Sequence, residues 1–171
     1  MANRYYLNEQ QYPRTGNCVF ISHQKNDKEI AKKIADYISK SGVDIYFDEY
    51  DYSINRDDPN SVVNAIKNGI RRSTHMLCIL SQNALNSKWM PWEIGYGYDR
   101  LQVAGITVKE ISKAVLPEYL QIVPVLRGTK SLNTYISKTA GRVEDSMVKE
   151  QKIFSATMSN HPLDSILDWQ L

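Results

Sequence analysis

The sequence of 171 residues lacks the features that mark secreted, membrane-spanning and disulfide-stapled proteins. It has two cysteines, Cys18 and Cys78, and each lies in a short apolar run typical of a buried strand, so we expect reduced thiols and no disulfide. No apolar stretch approaches the roughly 20 residues that a membrane-spanning helix needs, and the N-terminal residues lack the apolar run of a signal peptide. These absences predict a cytoplasmic protein with no membrane partner.

A strong excess of charge of one sign is also missing. The 21 Lys and Arg residues nearly balance the 19 Asp and Glu residues, and the net charge of +2 argues against a nucleic-acid partner. The three histidines, His23, His75 and His161, are scattered, and the sequence has no zinc-ligand spacing, phosphate-binding glycine loop or nucleophile elbow. We therefore expect no metal site, and we interpret His75 as structural.

The sequence does contain an alternation of strand and helix patterns. Apolar, β-branched runs predict strands at residues 18–21, 43–47, 75–80 and 122–126. Pro124 predicts an edge or end position for the last of these, because proline cannot donate to a strand ladder. Between the first three strands, apolar residues recur at helical spacing. Strands separated by helices predict a three-layer α/β fold with a central parallel sheet.

The boundaries of the first helix and of the domain are also predicted. Asn26 and Glu29 resemble a capping box at the start of the helix, and Gly42 is a typical helix stop. Residues 1–16 are interpreted as an N-terminal extension and residues 17–171 as one domain.

The alternation of strand and helix patterns is weaker after Gly128. A fifth strand is predicted at residues 152–157, and apolar residues spaced three and four apart predict a terminal helix at residues 162–169. That helix is expected to dock Ile166 and Trp169 onto the domain.

Polar side chains follow the predicted strands at the point where each strand ends. Ser22 and His23 follow the first strand, Asp48 the second and Ser81 the third, and Glu93 stands on the next helix. Because the carboxyl ends of parallel strands line the ligand crevice of an α/β sheet, these groups predict a binding site along one sheet edge.

Trp89 and Glu93 form the most informative pair in this set. Residues four apart on a helix are surface neighbours, so a helix here places an indole beside a carboxylate. Aromatic walls remove water from the carboxylate, which raises its pKa and strengthens its field on a bound cation. The alternative is an ordinary buried helix start with a solvated glutamate in its first turn.

Each of the other candidates also has a structural alternative. Trp92 is either a substrate contact or a core residue, and core packing is the slightly favoured reading. Ser22 and His23 either contact a ligand or cap the following helix. Asp48 either contacts a ligand or is a solvated loop acid.

Several sequence boxes resemble those of TIR domains. Residues 20–27 resemble the first box, and residues 56–60 resemble the BB-loop box, with Asn60 where a glycine is usual. Residues 79–93 are similar to the stretch that carries the Ser-x-Trp motif and glutamate of enzymatic TIR domains, although Met90 replaces a cysteine common in plant members. The boxes stand in the family's order and spacing.

The resemblance implies a flavodoxin-like sheet and an enzyme that cleaves the nicotinamide glycosidic bond of NAD. NAD is then a substrate, and no bound cofactor is implied. The resemblance assigns catalysis to Glu93, which stabilises an oxocarbenium-like ribose. It assigns substrate binding to residues at the strand ends and on the following helix, namely Ser22, His23, Asp48, Ser81, Trp89 and Trp92.

The resemblance is strongest to stand-alone bacterial TIR proteins of the Thoeris anti-phage defence type. It implies a cyclic ADP-ribose type signal that diffuses to a separate effector, and self-association through TIR surfaces. Two alternatives stay open. One is a non-catalytic scaffold that binds other TIR domains through the loop at residues 48–60, with Arg56, Asp57 and Pro59 as contacts. The other is a nucleoside-processing glycosyl transferase.

Overall fold

Five parallel strands form the centre of the structure. The computed structural model describes residues 16–48, 54–112, 114–157 and 159–169. The strands are β1 (Cys18–Ser22), β2 (Asp44–Tyr46), β3 (His75–Leu80), β4 (Gln102–Thr107) and β5 (Val125–Leu126). They form one sheet in the order β2-β1-β3-β4-β5, and every neighbouring pair is parallel. The predicted α/β fold with a central parallel sheet is confirmed.

Helices connect these strands and cover both faces of the sheet. In the described ranges they are α1 (Lys28–Lys40), α2 (Pro59–Arg72), α3 (Gln82–Leu85), α4 (Trp89–Tyr98), α5 (Glu118–Gln121), α6 (Thr129–Ala140) and α7 (Glu144–Lys149). Short 3-10 turns precede α1 at Lys25–Asp27 and follow β4 at Lys109–Ile111. No helix in this part of the chain is long and apolar enough to cross a bilayer.

One face of the sheet is covered by α2 and α4. Phe20 of β1 and Tyr46 of β2 stack at 5.4 Å, and α2 approaches so closely that a Cβ on Gly69 would lie 2.5 Å from the Tyr46 ring. A Cβ on Gly97 of α4 would lie 2.8 Å from Met76 of β3. Glycine at these two helix positions therefore lets each helix backbone lie directly on the strands.

The opposite face is covered by α6 and α1, which share a buried polar cluster. The Tyr37 hydroxyl of α1 donates to Asn133 Oδ1 of α6 at 2.9 Å and accepts from the Phe154 backbone N–H at 3.0 Å. His161 Nδ1 accepts the Leu163 N–H, so His161 Nε2 carries the proton and faces the Tyr37 hydroxyl at 3.2 Å. This cluster fixes the segment after α7 to the helical layer.

Two predictions about the sheet are wrong in detail. The predicted strand at 152–157 is absent, and those residues form turns and bends around the buried Ile153. The strand that the sequence predictions lacked is β4, at Gln102–Thr107. Of the strand predicted at 122–126, only Val125–Leu126 form a strand, which is β5. Its predicted edge position in the sheet is confirmed.

The predicted ends of helices also need correction. Gln24, not Asn26, supplies the side-chain cap at the first turn, because its Oε1 accepts the Asn26 N–H at 2.6 Å. Gly42 does follow α1, with a φ of +94° that suits glycine.

The predicted terminal helix at 162–169 is instead a series of turns. Backbone hydrogen bonds from Lys109 and Thr129 to the carbonyls of Ile166 and Asp168 tie this segment to the sheet's carboxyl edge. Ile166 is buried as predicted, whereas Trp169 is 41% exposed and is not docked as a core residue. The region after Gly128, where the sequence pattern is weaker, contains α6 and α7.

Candidate active site

Glu93 and Ser22 meet where α4 crosses the carboxyl end of β1. Ser22 is the last residue of β1 and points to the same face as Phe20, because alternate strand residues share a face. Pro91 fits the first turn of α4, and the next turn places the Glu93 side chain against the sheet, where the residue is only 8% exposed. The Ser22 hydroxyl donates a hydrogen bond to Glu93 Oε2.

The surroundings of Glu93 change its protonation. Burial raises the pKa of Glu93 from 4.5 to about 7, because the low-dielectric surroundings disfavour the anion. The hydrogen bond from Ser22 opposes this rise by stabilising the carboxylate, and the negative charge of Asp48 adds to it. Near neutral pH, Glu93 is therefore present in both its charged and neutral forms.

An open cleft of about 630 Å³ exposes Glu93 to ligands. Of the predicted binding residues, His23, Asp48 and Trp89 line the same cleft. These residues come from the ends of β1 and β2 and from the start of α4. The cleft therefore brings together the predicted catalytic residue and three of the six predicted substrate-binding residues at the predicted sheet edge.

His23 and Asp48 lie side by side within the cleft. His23 Nδ1 is 3.7 Å from Asp48 Oδ1, and the imidazole packs against the Phe47 ring with centroids 4.8 Å apart. Arg56 donates from Nη2 to the Asp48 backbone carbonyl at 2.8 Å, and its Nη1 is 3.9 Å from Asp48 Oδ2. Asp48, the second residue after β2, thus contacts both the loop after β1 and the loop before α2.

Trp89 opens an aromatic row along α4. Trp89 is 52% exposed and lines the cleft, and Trp92 meets it edge-on with centroids 5.7 Å apart. Trp92 stacks on Tyr96 at 5.6 Å. The core reading of Trp92 is wrong, because the residue is 36% exposed. Trp92 contacts Trp89 but is not among the residues that line the cleft.

Ser81 belongs to a different hydrogen-bond group. Its hydroxyl accepts the Ala84 N–H at 3.0 Å, which caps α3, and donates to the buried carboxylate of Asp27. Asn83 also donates to Asp27, at 2.9 Å. The structure does not bring Ser81 into the cleft, so its contribution is to tie the loop after β1 to the loop after β3.

The BB-loop box is divided between the cleft and the start of α2. Arg56 lines the cleft, whereas Asp58 caps α2 by accepting the Asn60 N–H at 3.0 Å, and Pro59 is the first residue of that helix. Asp57 is exposed. Residues 49–53 of the predicted interaction loop lie outside the described residues.

The sequence reasoning missed two lysines of the cleft. Lys25 lines it from the turn between β1 and α1, and Lys28 lines it as the first residue of α1. Their proximity to Ser22 and His23 in the sequence was the available signal, but solvent-facing lysines at a helix start carry no distinctive pattern.

Comparisons with known proteins relate the chain to a family, to a curated protein and to a solved structure. A family model described as TIR domain matches residues 19–139. The chain is 28% identical over 137 residues to NAD(+) hydrolase TcpC of Escherichia coli O6:H1, strain CFT073. The matched residues are 80% of this chain and 38% of TcpC. It therefore spans well under half of that relative. Among solved structures, it is similar to a diflavin flavoprotein A3 from Nostoc sp., with a TM-score of 0.39 and 11% identity over 81% of this chain and 97% of that one.

Proposed function

Because the chain belongs to the TIR domain family, we propose that it is an NAD-consuming enzyme that cleaves the N-glycosidic bond between nicotinamide and ribose. The observation that carries the proposal is the buried carboxyl of Glu93, which faces an open cleft beside Ser22 and Trp89. The similarity to a relative named NAD(+) hydrolase supports the same reaction class.

Glu93 stabilises the charge that forms when the bond breaks. The bonding electrons leave with nicotinamide, and the ribose becomes an oxocarbenium-like cation. At about 4 Å and an effective dielectric constant near 20, a carboxylate attracts such a cation by roughly 4 kcal/mol. That energy corresponds to a rate factor on the order of a thousand. The ionised form of Glu93 is therefore the active one.

The other cleft residues position the substrate. Trp89 stacks on the cationic nicotinamide ring, a contact that contributes roughly 0.5–2 kcal/mol. Asp48 accepts a hydrogen bond from a ribose hydroxyl, and His23 supports that contact from its position 3.7 Å away. Ser22 keeps the Glu93 carboxylate directed at the reacting carbon.

The reaction product acts as a signal in this proposal. We place the chain with the Thoeris-type TIR proteins of the bacterial cytoplasm, which implies a cyclic ADP-ribose type product that activates a separate effector. An intramolecular attack of the adenine on the ribosyl cation forms the cyclic product, and an attack by water forms linear ADP-ribose.

Nicotinamide release from NAD by the purified protein tests the reaction. The assay compares wild type with Glu93→Gln, which keeps the shape of the side chain and removes its charge, with and without lysate from phage-challenged cells. We expect a loss of about a thousandfold in the variant. Equal rates for the two proteins under the activating condition would refute the proposal, and mass spectrometry of the product separates cyclic from linear ADP-ribose.

A second candidate function is a TIR scaffold without catalysis. The exposed position of Asp57, next to the cleft residue Arg56, supports a protein contact at this loop. The scaffold predicts partner binding that survives Glu93→Gln and is lost in Asp57→Ala, with no NAD turnover in the assembled state.

A further inference from the structure

A second cavity, of about 670 Å³, lies between α6 and the amino ends of the central strands. His75 and Gln102, the first residues of β3 and β4, line it on the side of the sheet, and Tyr135 lines it on the side of α6. Among the described residues, the linings of this cavity and of the cleft at the carboxyl edge have no member in common. Small-molecule sites typically enclose roughly 300–1,000 Å³, so this amino-edge cavity is large enough for a ligand of its own.

The wall of the amino-edge cavity on the side of the sheet is mainly apolar. Four apolar residues from β4, from β5 and from the segment just before β5 contribute to it, namely Val103, Ala104, Pro124 and Leu126. The two residues of β4 are held in place by their burial in the sheet. This wall favours an apolar molecular body over a fully polar one.

Two lysines of α6 supply the positive charge of the amino-edge cavity. Lys130 and Lys138 line it, are exposed, and lie on one helix face because they are eight residues apart. No carboxylate is present among the lining residues that the structure describes. Glu144, outside the lining, contacts the Thr134 hydroxyl at 3.4 Å. His75 adds no charge near neutral pH, because burial lowers its pKa.

Tyr135 brings a hydrogen-bond donor to this cavity. Its ring meets the His75 ring edge-on with centroids 6.1 Å apart, and its hydroxyl is buried. Within the described part of the chain the hydroxyl has no hydrogen-bond partner, and Thr139 lies nearby outside hydrogen-bonding geometry. Burial raises the pKa of Tyr135, so the hydroxyl keeps its proton. A buried donor without a partner costs free energy, which an acceptor on a ligand recovers.

We propose that the amino-edge cavity binds a small organic acid, with its apolar body against β4 and β5 and its anionic group between Tyr135 and Lys138. These two residues are three apart on α6 and are therefore neighbours on its surface. A carboxylate accepts a hydrogen bond from the phenol and one from the flexible ammonium group, and both bonds are strengthened by its charge. The inference is independent of NAD cleavage, because it uses no residue of the cleft.

Two fluorescent probes test the inference on the full chain. 8-Anilinonaphthalene-1-sulfonate has apolar rings and one anionic group, whereas N-phenyl-1-naphthylamine has the same rings and no charge. Fluorescence titration should show that wild type binds the sulfonate roughly tenfold more tightly than the neutral amine. Tyr135→Phe and Lys138→Gln should each weaken sulfonate binding by roughly fivefold and leave amine binding within about twofold of wild type.

Two further variants locate the probe. Lys33→Gln removes the same charge from an exposed position of α1 outside the cavity lining, and should leave both affinities within about twofold of wild type. Thr134→Trp adds bulk at an exposed position of the lining and should weaken both probes. Thermal unfolding without probe shows that each variant folds. Tyr135→Phe should unfold at no lower temperature than wild type, because it removes a buried hydroxyl that lacks a partner in the described chain.

Four outcomes would overturn the inference. They are no binding of the sulfonate by wild type, equal affinity of wild type for the two probes, unchanged sulfonate affinity in either Tyr135→Phe or Lys138→Gln, and equal weakening in Lys33→Gln and Lys138→Gln. Weakening by Thr134→Trp alone would also count against it, because it would show a cavity with no preference for acids. Loss of nicotinamide release from NAD has no bearing on these results, so the proposed reaction and the acid site stand or fall separately.

Discussion

The Ser22 hydroxyl donates a hydrogen bond to Glu93 Oε2, which joins the end of β1 to the second turn of α4 across 71 sequence positions. This bond stabilises the ionised carboxylate, whereas burial and the charge of Asp48 favour the neutral acid. Ser22 is therefore placed to control how much of Glu93 is in its ionised form.

Removing the Ser22 hydroxyl should shift the pH dependence of the reaction. In Ser22→Ala, the carboxylate loses its donor, so the pKa of Glu93 rises above about 7. The acid limb of the kcat profile should then move to higher pH, and activity near pH 7 should fall severalfold. Ser22→Thr keeps the hydroxyl and should restore the wild-type profile. An acid limb unchanged in Ser22→Ala would show that this bond does not tune the carboxyl.

Replacing Glu93 with Gln should make the fold more stable at high pH. The pKa of Glu93 is raised from 4.5 to about 7 by folding, so the neutral form is the one favoured by the folded protein. The contribution of this group is complete below the unfolded pKa and is lost as pH rises through about 7. We expect Glu93→Gln to exceed wild type by about 1–3 kcal/mol at pH 8 and by much less at pH 4.5.

Urea unfolding at the two pH values measures this difference. Glu110→Gln, which changes an exposed glutamate, is the matched control and should leave the free energy of unfolding within about 0.5 kcal/mol of wild type at both pH values. A Glu93→Gln variant less stable than wild type at pH 8 would contradict the raised pKa.

Two glycines in helices should respond in opposite ways to alanine. A Cβ at Gly69 of α2 would lie 2.5 Å from the buried Tyr46 ring, which is itself stacked on Phe20. Gly69→Ala should therefore lower stability by about 1–3 kcal/mol despite better helix propensity. At Gly95 of α4 no atom lies within 4 Å of the added methyl group, so Gly95→Ala should be neutral or raise stability by up to about 1 kcal/mol. Thermal unfolding of both variants checks the contrast, and an equal effect at both sites would contradict it.

Tyr37→Phe should loosen the segment that follows α7. The change removes the hydroxyl that donates to Asn133, accepts from the Phe154 N–H and contacts His161. Because these buried groups lose a partner, we expect a destabilisation of about 1–3 kcal/mol. Hydrogen exchange should show the largest loss of protection near Phe154 and Leu163. Tyr98→Phe alters an exposed tyrosine and serves as the control; protection that falls uniformly across the sheet would argue against a local effect.

The sheet was predictable where its strands were apolar and bounded by polar residues. β1 and β3 are fully buried, so their sequences are nearly continuous apolar runs. β4 begins with the exposed Gln102 and contains Gly105, which leaves no such run. Its place in the sheet is instead determined by pairing with β3, and a Cβ on Gly105 would lie 2.6 Å from Leu80. The error at 152–157 has a related cause, because a single buried Ile153 resembles the centre of a short strand.

Part of the candidate site was predictable from the order of the strands in the chain. In a parallel sheet, chain order places Ser22, Asp48 and Glu93 near one edge, because the strand ends lie side by side. Ser81 also follows a strand, but the buried Asp27 and the start of α3 engage its hydroxyl. Trp92 is one helical turn from Trp89, yet it stacks on Tyr96 instead of lining the cleft.

The sequence by itself determined the alternation of strands and helices, the parallel sheet and the edge at which polar residues gather, because these follow from local hydrophobic periodicity and chain direction. Only the tertiary structure decided which of those residues share the cleft, that burial and Asp48 raise the pKa of Glu93 while Ser22 lowers it, and that Lys25, Lys28 and Arg56 face the same space. Desolvation and charge interactions depend on distances between segments far apart in the chain, and no local pattern encodes those distances.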